Sequence, residues 1–230
     1  SKIQAGRHFL RAVWESFNGI VTDQQAGKQA PPLQKPAPAG KEAVRLPDPG
    51  ETETNGTSIG EAIAKRKSRR KLSSAPLSRA ELSFLLWATQ GVKRQLNDHT
   101  ALRTVPSAGA RHPFETYLYI FSAEQLPPGL YRYLPFEHAL LPESDDPALS
   151  GRITEGLFRQ RFGAPVIFLW SVIPYRTEWR YAYESAKIIA IDAGHLCQNL
   201  YLACEALGCG TCAVGAYDQK TLDSALGLDG

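Results

Sequence analysis

PVIFLWSVI, residues 165–173, is an almost unbroken apolar run of strand length. Rich in β-branched and aromatic side chains and opened by Pro, it reads as a central strand covered on both faces. Downstream, Tyr183–Leu207 carries Ile188, Ile191, Leu196, Leu200 and Ala203 on a helical pattern and stops at Gly208. Upstream, Pro147–Gln160 reads as a shorter helix. Glu115–Phe121 (ETYLYIF), Leu130–Leu134 (LYRYL) and Ala139–Leu141 read as strands separated by Pro and Gly, and Thr211–Tyr217 as a last strand. Helices and strands alternate irregularly, so the expected class is α+β, a central mixed β-sheet flanked by helices, rather than a doubly wound sheet.

Farther upstream, Ser58-Ile-Gly-Glu61 and Ser78-Arg-Ala-Glu81 are both S-x-x-E capping boxes, predicting helices over about 59–66 and 79–89, the second stopped by Gly91. Residues 1–23 hold Phe9, Leu10, Val13, Trp14 and Phe17 at helical spacing and form an expected N-terminal amphipathic helix. Residues 24–56 contain several prolines and few large apolar side chains, which marks an extended arm or linker. The main domain is then 57–230. The chain opens on Ser and has no Met, so a trimmed form is expected.

The formal net charge of 230 residues is only +3, and most of that excess sits in KRKSRRK, Lys65–Lys71. A nucleic-acid surface needs a wider basic face with interleaved aromatics, which is missing. The longest apolar run is far short of the roughly 20 residues of a membrane span, and no signal segment is visible, so a soluble cytoplasmic protein is expected. Cys197, Cys204, Cys209 and Cys212 cluster, but Cys209-Gly-Thr-Cys212 follows a helical pattern instead of opening a helix. They read as small buried side chains, with no metal site.

Six cations in KRKSRRK exceed what a helix C-terminus needs and call for an anion. TVPSAGARHP, residues 104–113, is a small-residue loop whose amides can approach a flat or anionic ligand. LGCGTCAVGAYD, residues 207–218, is a second Gly-rich segment. In this order, Arg66-x-Ser68-x-Arg70, then Pro106-Ser107-x-Gly109, then a long helix running into residues 207–218 resembles the FMN-dependent nitroreductase superfamily, from about Ser58 onward. LSFLLWATQG, RTVPSAGARHPFE and DAGHLCQNLYLACEALG resemble its SagB-type dehydrogenase branch, which includes thiazoline and oxazoline oxidases.

The resemblance implies a nitroreductase-like fold, an intertwined homodimer, one FMN in each of two interface clefts, and a further strand with a basic phosphate contact beyond Gly230, so that a truncated C-terminal end is expected. It implies that Arg66 and Ser68 hold the ribityl-phosphate end, with Lys67 adding charge, and that Arg70 approaches the pyrimidine. Pro106, Ser107, Ala108 and Gly109 are expected against the isoalloxazine, and the backbone of Val214, Gly215 and Ala216 against its N5. Lys65, Arg69 and Lys71 are left as solvated charges. Azoline oxidases carry a Lys-Tyr pair where this chain has Arg180-Tyr181. Both residues are catalytic candidates, Tyr181 as the acid or base, since an Arg is effectively never deprotonated.

The function implied is an FMN oxidoreductase passing hydride or electrons between a donor such as NAD(P)H and a small-molecule or peptide-derived acceptor. An azoline oxidase of peptide maturation and a flavin-holding, partner-binding protein with little turnover are the alternatives. His195 reads as structural, with Asp192 one turn earlier able to orient it.

Overall fold

The computed structural model describes residues 1–11 and 14–230, so Val13 of the N-terminal apolar pattern lies outside the described residues. At its centre is the strand Phe114–Ile120 (β4), buried at every position. It pairs antiparallel with Gly129–Leu134 (β5) on one side and Val166–Val172 (β7) on the other. Ala139–Ser144 (β6) joins β5, and the short Val44–Arg45 (β1) joins β6, giving the order β1-β6-β5-β4-β7. Each pairing in this sheet is antiparallel, and an isolated bridge between Leu77 and Ala123 is parallel.

Alternation along the strands splits the core in two. Leu118 and Ile120 face Leu82 and Leu86 of the helix Arg79–Gln90 (α3), while Phe168 and Trp170 reach Leu200 and Cys204 of the helix Ser185–Ala206 (α6). On the opposite face Tyr117, Tyr119, Ile167 and Leu169 pack on Ala148–Gly156 (α4) and Gln219–Leu226 (α7). The class is thus α+β, helices on both faces of one sheet. The 165–173 stretch, expected as a central strand, lies at the sheet edge instead. Its apolar run reflects helices on both faces, and facial cover does not fix lateral position.

Both capping boxes form, starting Ile59–Lys65 (α2) and α3, and Gly91 ends α3. The expected last strand over 211–217 has no ladder partner among the described residues. Its groups are engaged elsewhere: Thr211 O accepts from Arg69 N at 3.0 Å, and Ala213 N donates to the Tyr201 hydroxyl at 2.8 Å. A hairpin, Val92–Asn97 (β2) with Thr100–Arg103 (β3), occupies what the sequence presents as a polar turn. At the N-terminus the helix is only Lys2–Phe9 (α1), with a 3-10 turn at Trp14–Phe17. Trp14 and Phe17 pack edge-on or tilted against Tyr181 and Tyr183, at 6.5 and 6.0 Å between ring centroids.

The Pro-rich arm is held through its backbone. Arg103 donates to Leu33 O, Arg176 to Pro32 O, and Arg132 to Lys35 O and Pro36 O, at 2.6–3.0 Å. All three guanidinium groups are buried, with Glu115 between Arg176 (2.5 Å) and Arg132 (3.8 Å). Glu115 also accepts from Lys35 N at 2.8 Å. Carbonyls without side-chain competition suit this role, because charge-assisted bonds offset the cost of burying the arginines.

Candidate active site

The basic segment leaves α2 at Arg66 and runs extended over α6. Tyr201 of α6 is the hub. Its hydroxyl lies 2.8 Å from Ser68 Oγ and accepts from Ala213 N, and its ring lies 5.2 Å under the Arg66 guanidinium. One phenol therefore ties the Arg66–Ser68 strip to the segment entering Val214. Two of the six cations are neutralised inside the chain. Lys65 pairs with Glu61, and Arg69 forms an ion pair with Glu205 that orients its side chain to α6. The expectation that Arg69 is merely solvated is corrected by its partner, while Lys65 stays exposed in a surface pair. Arg66, Lys67, Arg70 and Lys71 form no ion pair among the described residues.

The Pro106–Gly109 loop meets α6 at its other end. Ser107 Oγ donates to Asp192 Oδ2 at 2.5 Å, accepts from His112 N at 2.9 Å, and Ala108 N also donates to Asp192. Burial pushes the Asp192 carboxyl above its ordinary value, against these donated bonds. Asp192 Oδ1 lies 3.8 Å from His195 Nδ1, too far for a hydrogen bond. Gly109 is left-handed at φ 59°, and a Cβ there would stand 2.8 Å from both Arg180 Cδ and the Tyr181 hydroxyl. Glycine is required for the backbone and for the close approach of the helix Tyr175–Tyr181 (α5).

α5 is clamped by the arm. Its Trp179 indole donates to Lys28 O, its Tyr175 hydroxyl to Asp23, and its Arg176 to Pro32 O and Glu115. A sharp break at Ala182, φ 44° and ψ −128°, then starts the turn into α6. Arg180 is exposed and Tyr181 half-buried, side by side beneath Trp14 and against Gly109.

The sequence-derived residues thus fall into two groups. Arg66, Lys67, Ser68 and Arg70 share one with Tyr201 and Ala213, while Pro106, Ser107, Ala108 and Gly109 share the other with Arg180, Tyr181 and Asp192. No hydrogen bond, ion pair or ring contact joins the two groups among the described residues. Val214 packs toward the α4 and α7 side, Gly215 is exposed, and Ala216 O accepts from Gln160 at 2.9 Å. Tyr201 and Asp192 are nine residues apart on α6, about 14 Å along its axis. Neither Tyr201 nor Glu205 was singled out by the sequence reading. Their signal was positional, on the same long helix C-terminal to Asp192 and His195.

The donor set suits a phosphorylated, planar cofactor: unneutralised guanidinium and ammonium groups beside a hydroxyl, and a small-residue loop with left-handed backbone. Among the described residues no group of three or more His, Cys, Asp or Glu is placed to hold a metal ion, and the four cysteines are free. Burial pushes the Cys197, Cys204 and Cys209 thiols up, away from thiolate. Among the described residues no helix is long and apolar enough to cross a membrane.

A sequence profile of the nitroreductase family matches residues 63–230. A candidate nitroreductase of Methanocaldococcus jannaschii is 32% identical over 180 residues, 77% of this chain and 86% of that protein. Among solved structures, a candidate nitroreductase of Ralstonia eutropha aligns with a TM-score of 0.64 at 24% identity, covering 88% of this chain and 89% of that one. The Escherichia coli microcin synthetase McbBCD complex aligns with a TM-score of 0.58 at 20% identity, covering 98% and 80%, which shows a shared fold. The profile spans well over half of the chain and the archaeal relative covers most of it: this chain belongs to the nitroreductase family and is an oxidoreductase of that family.

Proposed function

We propose that the chain is an FMN-dependent oxidoreductase of the SagB-type branch, active as a homodimer and passing hydride or electrons from a donor such as NAD(P)H to a small-molecule or peptide-derived acceptor. The observation that carries this reading is the Arg66–Ser68–Tyr201 knot, flanked by cations that the chain leaves unneutralised. Arg66, Lys67 and Ser68 would hold the phosphate, and Arg70 a more distal oxygen. Pro106–Gly109 and the Val214–Ala216 backbone would bound the ring system. When bound, the flavin supplies the reversible uptake of a hydride or electrons. Tyr181 would hold or release a proton at its hydroxyl, and Arg180 would fix charge beside it.

The two residue groups lie along one helix with no hydrogen bond, ion pair or ring contact between them among the described residues, so a second copy of the chain is the simplest way to bring one copy's loop to the other's basic strip. Sedimentation of the purified protein tests the dimer, and a yellow sample releasing FMN on heating tests the cofactor. A colourless protein that takes up no added FMN refutes the reading. Azoline oxidation is a second reading, resting on the resemblance of the 104–113 loop and the long helix to the SagB-type branch. Arg180 argues against it, because a guanidinium does not serve as the general base that a lysine there could become.

A further inference from the structure

Two guanidinium groups converge on Gly109. Arg111 Nε donates to Gly109 O at 3.1 Å, and the Arg180 stem and Nε cover the Gly109 Cα from the other side, where a Cβ would be 2.8–2.9 Å away. Arg111 is buried, its plane over Trp179 at 5.1 Å and its Nη2 on His99 O at 2.6 Å. Arg180 is exposed, 5.8 Å from the Tyr181 ring centroid. Among the described residues neither forms an ion pair. Burial first, and then the charge of Arg180, hold the Arg111 guanidinium below its ordinary value. Among the buried arginines Arg132 and Arg176 share Glu115, whereas Arg103 has only Gln90 and the Leu33 carbonyl. The pair at Gly109 has no carboxylate partner among the described residues, and of the two only Arg180 is exposed.

We infer that Arg180, backed by Arg111, is a specificity-determining anion site for the acceptor, and that the acceptors this enzyme prefers carry a carboxylate or equivalent anionic group beside the reducible group. The inference rests on the proposed reading of the Gly109 loop as a wall of the flavin cleft. Arg180 reaches solvent, so it meets the ligand. Arg111 is fixed by three neighbours and acts through its field. The half-buried Tyr181 and the half-exposed Trp14 flank the position, leaving aromatic surface for a flat molecule.

The test uses the full chain and two matched acceptors, 4-nitrobenzoate and 4-nitrobenzamide, with benzoate and benzamide as non-reacting probes in equilibrium dialysis. Wild type should bind benzoate more tightly than benzamide and show a higher kcat/KM for the nitrobenzoate. In Arg180→Gln, which keeps the stem over Gly109, the nitrobenzoate-to-nitrobenzamide ratio of kcat/KM should fall by at least about tenfold. Arg180→Lys should restore part of it. Equal use of both acceptors by the flavin-loaded wild type overturns the inference while leaving the proposed function standing. An unchanged ratio in Arg180→Gln also overturns it, and if flavin is lost as well, the guanidinium belongs to the cofactor. Conversely, a chain that binds benzoate through Arg180 yet takes up no flavin sinks the functional proposal and supports the anion site.

Discussion

Glu115→Gln removes one negative charge, without changing side-chain size, from the place where the arm, β4 and α5 meet. Glu115 is 3% exposed and is the carboxylate facing both Arg176, 2% exposed, and Arg132, 1% exposed. Arg132 keeps Glu143 at 2.8 Å, but Arg176 retains only the Pro32 and His112 carbonyls. Breaking a buried pair from one side costs about 3–5 kcal/mol, because the remaining charge stays desolvated. Against a typical total stability of about 5–15 kcal/mol this is a large share. In a chain of this length each kcal/mol moves Tm by about 2–4 °C, so a fall of at least about 6 °C is expected. Urea and thermal unfolding, followed by circular dichroism, measure it. The same experiment on the exposed Arg152–Asp146 pair, broken by Asp146→Asn, should give a change of about 0–1 kcal/mol. If Glu115→Gln and Asp146→Asn prove equally mild, the strap is not held by buried electrostatics and the reasoning fails. Because Arg176 anchors α5, Glu115→Gln should also loosen Arg180 and Tyr181, raising KM for acceptor at temperatures where the fold persists.

Arg66→Ala should lose FMN at least about tenfold more readily than Lys71→Ala, since a charge-assisted phosphate contact is worth roughly 1.5–3 kcal/mol; equal retention in dialysis would count against the phosphate assignment. Tyr181→Phe keeps the ring that packs on Trp14 but removes the hydroxyl, so it should retain flavin and slow a proton-requiring half-reaction by about tenfold or more, measured anaerobically; wild-type rates in both half-reactions leave Tyr181 a packing residue. His112 is pulled from 6.5 to about 3 by burial and then by Arg103, so it folds neutral. Its contribution is complete above about pH 6.5 and lost as pH falls toward 3, where the unfolded chain takes up the proton first. Between pH 6.5 and pH 5 wild type should lose about 2 kcal/mol more than His112→Gln in urea titrations, and parallel losses would show that another group titrates.

Local chemistry made much of this protein readable from its sequence. Two S-x-x-E boxes fix where α2 and α3 begin because the caps involve residues three apart, and Gly91 and Gly208 mark helix ends for equally local reasons. Apolar spacing identified β4, β5, β6 and α6, since burial on one or two faces writes a period into the chain. The charge density of KRKSRRK and the small-residue loop at 104–113 marked both groups of candidate site residues. Only the tertiary structure could decide which cations are already paired, because Glu205 lies far along the chain from Arg69. It also decided that the apolar 165–173 run lies at the sheet edge, and that 211–217 has no ladder partner among the described residues. The Pro-rich arm was the hardest segment to read. Beside side-chain contacts such as Gln34–Glu137 and buried Leu33 and Leu46, it is held by backbone carbonyls meeting buried arginines on β3, β5 and α5, and carbonyls are identical at every residue, so no side-chain pattern in the arm announces that part of the hold.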